Sequence, residues 1–313
     1  MAPSLRALLA RITTILPTYQ TPFTSPSSHD IVTAAAAAEA NANANAHGIA
    51  VTPYEPLSGA PSCPIDGPLS CHNATGPVED ACCFVAPSGR LLLTQFWDDT
   101  VHAGGAEEDW TVHGLWPDLC DGSYKAYCGM TPHFNNITDI LQHYGQGDLL
   151  ASMERYWVAA YGTNNHLWAH EYNKHASCIN TLSASCYADA YAPGVEVVDY
   201  FTRAFSLFRQ LDTFTALERA GIAPSHSRRY PLAEVRRTLE ALSGGRVVLR
   251  CQGRGRDVLH EAWYSYFLQG SLQTGQFVPA GGLGDHGDAN NCAPEVRYPP
   301  KKCKGNCPGS VEL

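Results

Sequence analysis

Apolar positions along this chain recur in two rhythms. RLLLTQFW at 90 to 97 and DWTVHGLW at 109 to 116 are short apolar runs separated by a glycine-rich, acidic loop, which predicts two strands. Alternation in the second places Thr111, His113 and Leu115 on one face and Val112, Gly114 and Trp116 on the other. RVVLRC at 246 to 251 and VLHEAWYSYFLQ at 258 to 269 predict two late strands. Helical spacing marks 137 to 144, 148 to 161 and 165 to 178. The longest helical periodicity covers 195 to 220, where Val198, Phe201, Phe205 and Phe208 form a core-facing stripe. A further helix follows Pro231 and ends at Gly244 and Gly245. Strands and helices do not alternate regularly, so the pattern favours an α+β fold, an antiparallel sheet packed with several helices, over a parallel α/β fold.

Composition adds a compartment. Twelve cysteines occur in 313 residues and none forms a C-x-x-C pair, so a disulfide-stapled domain in an oxidising environment fits better than structural zinc. Asn73 in NAT and Asn136 in NIT are glycosylation acceptors. Residues 1–20 read as a signal peptide and 21–60 as a low-complexity spacer; the folded domain is expected over 61–295, and 296–313 reads as a basic Pro/Gly/Lys tail holding Cys303 and Cys307. A secreted or vacuolar protein is expected, with no later run long enough to span a membrane. The formal charge of −9 excludes a protein that coats nucleic acid. An enzyme touching a polyanion at one small cationic site is still allowed.

HEYNKH, 170 to 175, concentrates titratable groups and admits three readings: metal site, catalytic centre or polar helix face. On a helix, His170 stacks with Lys174 and Glu171 with His175, giving two adjacent stripes that converge on one small ligand. Its two histidines stand five apart, about 140° around the helix, which disfavours a shared metal. In WTVHGLWPDLCDGSY, 110 to 124, His113 is followed by a glycine that lets a ligand approach, and Trp116 and Tyr124 offer flat surfaces for a base. Two separated histidines with a cation and a carboxylate suit RNA cleavage by its own 2′-hydroxyl.

WTVHGLWPD and WAHEYNKHASC resemble the two signature segments of the ribonuclease T2 family, the secreted acid ribonucleases, and in particular its fungal branch. TQFWD, the adjacent Cys82 and Cys83, and Cys251 and Cys292 extend the likeness over about residues 63 to 292. The resemblance implies that His113 and His175 are the acid and base pair, His175 the base in the usual assignment. It implies that Glu171 and Lys174 stabilise the transition state and that His170 binds phosphate. Trp116, Asp118 and Tyr124 would form the main base site; Gln95, and more weakly Asn164 and Asn165, the second. It further implies a monomer acting on single-stranded RNA with little base specificity and no metal or cofactor. The product would be a 2′,3′-cyclic phosphate, later opened to a 3′-phosphate.

Twelve cysteines permit roughly ten thousand complete pairings. The resemblance selects Cys63 with Cys83, Cys71 with Cys120, Cys82 with Cys186, Cys128 with Cys178, and Cys251 with Cys292. Ala176 departs from the family pattern, which has glycine there; the change is harmless if that position is helical and strained if it needs positive φ. A rival reading keeps the scaffold as a binding effector or toxin, or as a storage protein with a vestigial site. The intact His113, Glu171, Lys174 and His175 weigh against it.

Overall fold

The computed structural model describes residues 60–302 apart from 65, 73–79, 99–105 and 282–288. Asn73, Cys303, Cys307 and, save Ala60, the expected signal and spacer lie outside the described residues. Among the described residues seven strands form one sheet: β1 (Arg90–Phe96), β2 (Thr111–Asp118), β3 (Arg229–Pro231), β4 (Val247–Gln252), β5 (Val258–Gln269), β6 (Gln276–Pro279) and β7 (Glu295–Arg297). The α-helices among the described residues are α1 (Ile137–His143), α2 (Gly147–Tyr156), α3 (Asn164–Lys174), α4 (Val195–Arg209), α5 (Thr213–Arg219) and α6 (Leu232–Ser243). β5 is central, pairing with β1 along one side and with β4 and β6 along the other, while β2 lies outside β1. All ladders are antiparallel except a single parallel bridge from Val258 to Arg297. The fold is α+β.

Alternation along the strands sorts their side chains into two unequal sets. Leu91, Leu93, Leu115, Leu249 and Tyr264 join the main core with Phe201 and Phe205 of α4 and Tyr172 of α3. Each such side chain contributes roughly 1.5–3 kcal/mol when fully buried. On the opposite face Leu92, Val248 and Trp263 form a small cluster with Trp116 against it. The thinly covered face is free for chemistry.

Three sequence expectations change. The periodic stretch at 195 to 220 is two helices, because Asp212 turns out of the first and accepts a hydrogen bond from the Thr215 N–H as the N-cap of α5. The helix expected to reach 178 ends at Lys174; His175, at φ −106°, leads into a 3-10 turn, Ala176–Cys178. Ala176 does not adopt a positive φ there, so the missing glycine leaves no strain. Of the segment read as tail, residues 296–302 are part of the fold. Val296 and Tyr298 are fully buried, Trp110 donates to Tyr298 Oη at 2.9 Å, and Trp97 donates to the Pro299 carbonyl at 2.9 Å. Lys301 is buried as well, its ammonium donating to the Asp109 carbonyl and lying over the Trp97 ring. Apolar residues between the prolines outweighed the polar composition of that stretch.

The five disulfides among the described residues carry the pairing that the resemblance implied. Cys71–Cys120 ties the chain just after β2, and Cys128–Cys178 ties the turn after α3. Backbone bonds from Tyr127 to the Lys174 carbonyl and from Met130 to the Ser177 carbonyl reinforce the second tie.

Candidate active site

β2 and α3 meet at Gly114. An added Cβ there would collide with Glu171 Oε2 and Trp116 Nε1, so only glycine lets the helix carboxylate approach the strand this closely. Trp116 donates its indole N–H to Glu171 Oε2 at 2.8 Å. Replacing Gly114 by alanine is therefore expected to displace this carboxylate and lower kcat/KM roughly 10²-fold with the fold intact. Unchanged turnover would show that the carboxylate can retreat without loss.

His113 does not share a face with Leu115, as strict alternation had required. β1 pairs Thr94 with Gly114 but the next residue, Gln95, with Val112, which leaves His113 as the extra residue of a β-bulge. Val112 and Leu115 both enter the core in consequence, although an odd separation would put them on opposite faces. The bulge swings the imidazole to the Trp116 side, where it stacks on Phe96 at 4.0 Å and meets the edge of Trp116 at 4.7 Å. Thr94 Oγ1 bonds the Gly114 backbone at 3.0 Å, and Trp157 donates to the His113 carbonyl at 2.9 Å. These contacts leave few backbone groups of the bulge unpaired.

The two histidines converge on one buried carboxylate. His113 Nε2 stands 3.7 Å from Glu171 Oε1, and His175 Nε2 stands 3.8 Å from Glu171 Oε2. Burial pushes the Glu171 carboxyl above its ordinary value, against the pull of His113, the Trp116 N–H and Lys174. His175 is stacked under Trp116 at 5.0 Å, and burial first, then Lys174, His113 and His170, hold its imidazole down to about 2. It is neutral through the acid range. His170, exposed on the next turn, is lowered by partial desolvation and by Lys174. Glu171 Oε1 and His175 Nε2 are buried with no hydrogen-bond partner among the described residues, whereas most buried polar atoms are paired.

The folded His175 takes a proton near pH 2 and the unfolded one near 6.5, so between these values the unfolded chain holds more protons and stability falls as pH falls. At pH 5 this amounts to roughly 2 kcal/mol. The raised carboxyl of Glu171 works in the opposite direction over the carboxylate range, so the useful comparison is with a variant. His175→Asn is expected to gain about that much stability relative to the parent between pH 7.5 and pH 5 in denaturant titrations. Parallel pH–stability curves would contradict the buried neutral imidazole.

Of the residues expected at the base site, Trp116 is half-buried with one ring face covered by His175, Asp118 is buried, and Tyr124, bridged to Asp118 through the backbone, is 64% exposed. Gln95 requires correction. It is fully buried, donating to the Leu211 carbonyl at 3.2 Å and accepting from Thr213 Oγ1 at 2.7 Å, so it holds the chain ahead of α5 and presents no surface to a base. Asn164 and Asn165 are also engaged: their Oδ1 atoms accept from the Ala159 and Thr138 N–H groups. Asn136 is exposed at the start of α1. Glu261 went unremarked in the sequence. It lies on β5, buried, with Oε1 2.9 Å from His113 Nδ1, and its signal was an isolated acid within an apolar strand.

Comparison with known proteins bears on the same segments. The model of the ribonuclease T2 family matches residues 88–281, which include β1, β2, α3 and β5. The chain belongs to the ribonuclease T2 family. Ribonuclease Trv of Hypocrea rufa is 45% identical over 241 residues, 77% of this chain and 99% of the relative. Ribonuclease T2 of Aspergillus oryzae is 42% identical over 247 residues, 79% and 86% of the two chains. The crystal structure of Actibind, a T2 ribonuclease, superposes with a TM-score of 0.69 at 39% identity, covering 76% of this chain and 98% of that one. This T2-family chain is an RNA endonuclease. No helix among the described residues is long and apolar enough to cross a membrane.

Proposed function

We propose that the protein is a secreted, acid-range endoribonuclease that cuts single-stranded RNA by transphosphorylation, without a metal. The observation that carries this reading is the pair of imidazole Nε2 atoms on either side of the buried Glu171 carboxyl, at 3.7 and 3.8 Å. His175, neutral in acid, takes the proton from the 2′-hydroxyl as O2′ bonds to phosphorus. His113 delivers a proton from Nε2 to O5′ as the P–O5′ bond breaks. Lys174 and His170 offset the charge on the phosphorane-like transition state, and Glu171 faces the imidazolium that His175 becomes.

The products are a 5′-hydroxyl and a 2′,3′-cyclic phosphate; water then opens the ring to a 3′-phosphate with the roles of the two histidines exchanged. Trp116, Asp118 and Tyr124 form the main base site, with the exposed Tyr124 ring as the stacking surface. Secretion or delivery to a vacuole accords with five disulfides and the exposed acceptor Asn136. An oligonucleotide carrying a single ribonucleotide tests the chemistry: cleavage is expected 3′ to that residue only. Cutting of an all-deoxy strand at a similar rate would overturn the reading.

A further inference from the structure

Glu261 has no place in the proton transfers just described, yet it holds the nitrogen of His113 opposite the one that transfers the proton. Its Oε1 lies 2.9 Å from Nδ1, and a carboxylate carries no proton to give, so Nδ1 is the donor. That bond fixes the ring tautomer and turns Nε2 toward Glu171 Oε1 at 3.7 Å. Oε2 of Glu261 is itself held, accepting from the Trp263 indole N–H at 3.0 Å, and the Arg250 guanidinium lies over the Trp263 ring at 5.0 Å. The His113 ring is 23% exposed, open enough to meet a leaving group, while Phe96 fixes its plane from one side.

β5 is the central strand, paired on both sides, so a carboxylate planted on it has little freedom. We infer that Glu261 is a positioning residue that orients His113 and stabilises its charged form, with Trp263 keeping the carboxylate in place. The inference rests on the reading of His113 as the proton donor. The other titratable or charged groups around this imidazole are Glu171, His170 and His175 from α3 and its end, Lys174 beside Glu171, Arg250 beyond Trp263, and His260, which touches Phe96. None of these bonds Nδ1; among the described residues Glu261 alone does.

The test compares Glu261→Gln, which keeps the shape, with His113→Ala and the parent. Each is assayed on a dinucleotide and on a nucleoside 3′-nitrophenyl phosphate, whose leaving group needs no proton. Glu261→Gln is expected to lower kcat/KM on the dinucleotide roughly 10- to 100-fold, with little loss on the nitrophenyl ester. The alkaline limb of its pH–rate profile should move down by about one unit, since a neutral amide no longer favours the imidazolium. Equal losses on both substrates with an unmoved limb would mark a merely structural role and overturn the inference, as would unaltered activity. If His113→Ala itself stays active on the dinucleotide, the underlying assignment of the acid fails instead. Trp263→Phe, which frees the carboxylate but leaves it charged, should lose less than Glu261→Gln; a larger loss at Trp263 would assign the effect to packing.

Discussion

Replacing His175 by alanine is expected to reduce kcat by about 10³- to 10⁴-fold, at every pH and on every substrate. In barrier terms this is about 4–5.5 kcal/mol. The size of the effect follows from placement. His175 is the last residue before the 3-10 turn, held by a backbone bond to the Glu171 carbonyl, and its Nε2 has no partner among the described residues. Burial, then Lys174, His113 and His170, keep it unprotonated down to about pH 2, so in the proposed mechanism it is free to take a proton where an ordinary histidine already holds one. Glutamine in its place cannot accept and release a proton, so it should fare no better than alanine. An alternative base on the other side of the site would show itself as retained turnover.

The second large effect is selective. His113→Ala is expected to cost about 10³-fold or more on RNA, where O5′ leaves poorly without a proton. On a nitrophenyl ester the same variant should retain most of the parent rate. His175→Ala, which removes the proposed base, should be impaired on both. Crossed behaviour would exchange the acid and base roles of the two histidines. The bulge that aims His113 adds a companion expectation: a Thr94→Val variant loses the hydroxyl that bonds both Gly114 backbone groups, and its activity should fall while the sheet persists.

Much of this site was legible in the chain. His113, His170, Glu171, Lys174 and His175 lie in two contiguous segments, and helical spacing alone brought Glu171 next to His175. β1, β2, β4 and β5 were visible because their apolar runs are dense and bounded by polar loops, whereas β3, β6 and β7, of three or four residues each, were not read. What stayed hidden depended on non-local packing. The bulge at His113 arises from register against β1, so alternation within β2 gave the wrong face. Glu261 stands nearly 150 residues downstream of His113, and pairing of β1 with both β2 and β5 is what brings them together. Gln95 misled for the same reason: a polar residue in a signature-like stretch is equally suited to a buried bond, and the chain ahead of α5 supplies one. The end of the fold was hidden too, because Pro and Lys around Tyr298 resemble a solvated tail until the partners of Trp97 and Trp110 are known.

The central claim is that imidazoles alone carry out the proton transfers of RNA cleavage here. The direct measurement is to incubate the purified protein with single-stranded RNA near pH 5 in excess chelator and to analyse the new ends. The account predicts full activity and 2′,3′-cyclic phosphates that convert slowly to 3′-phosphates. Loss of cleavage in chelator, or fragments bearing 5′-phosphates, would contradict it.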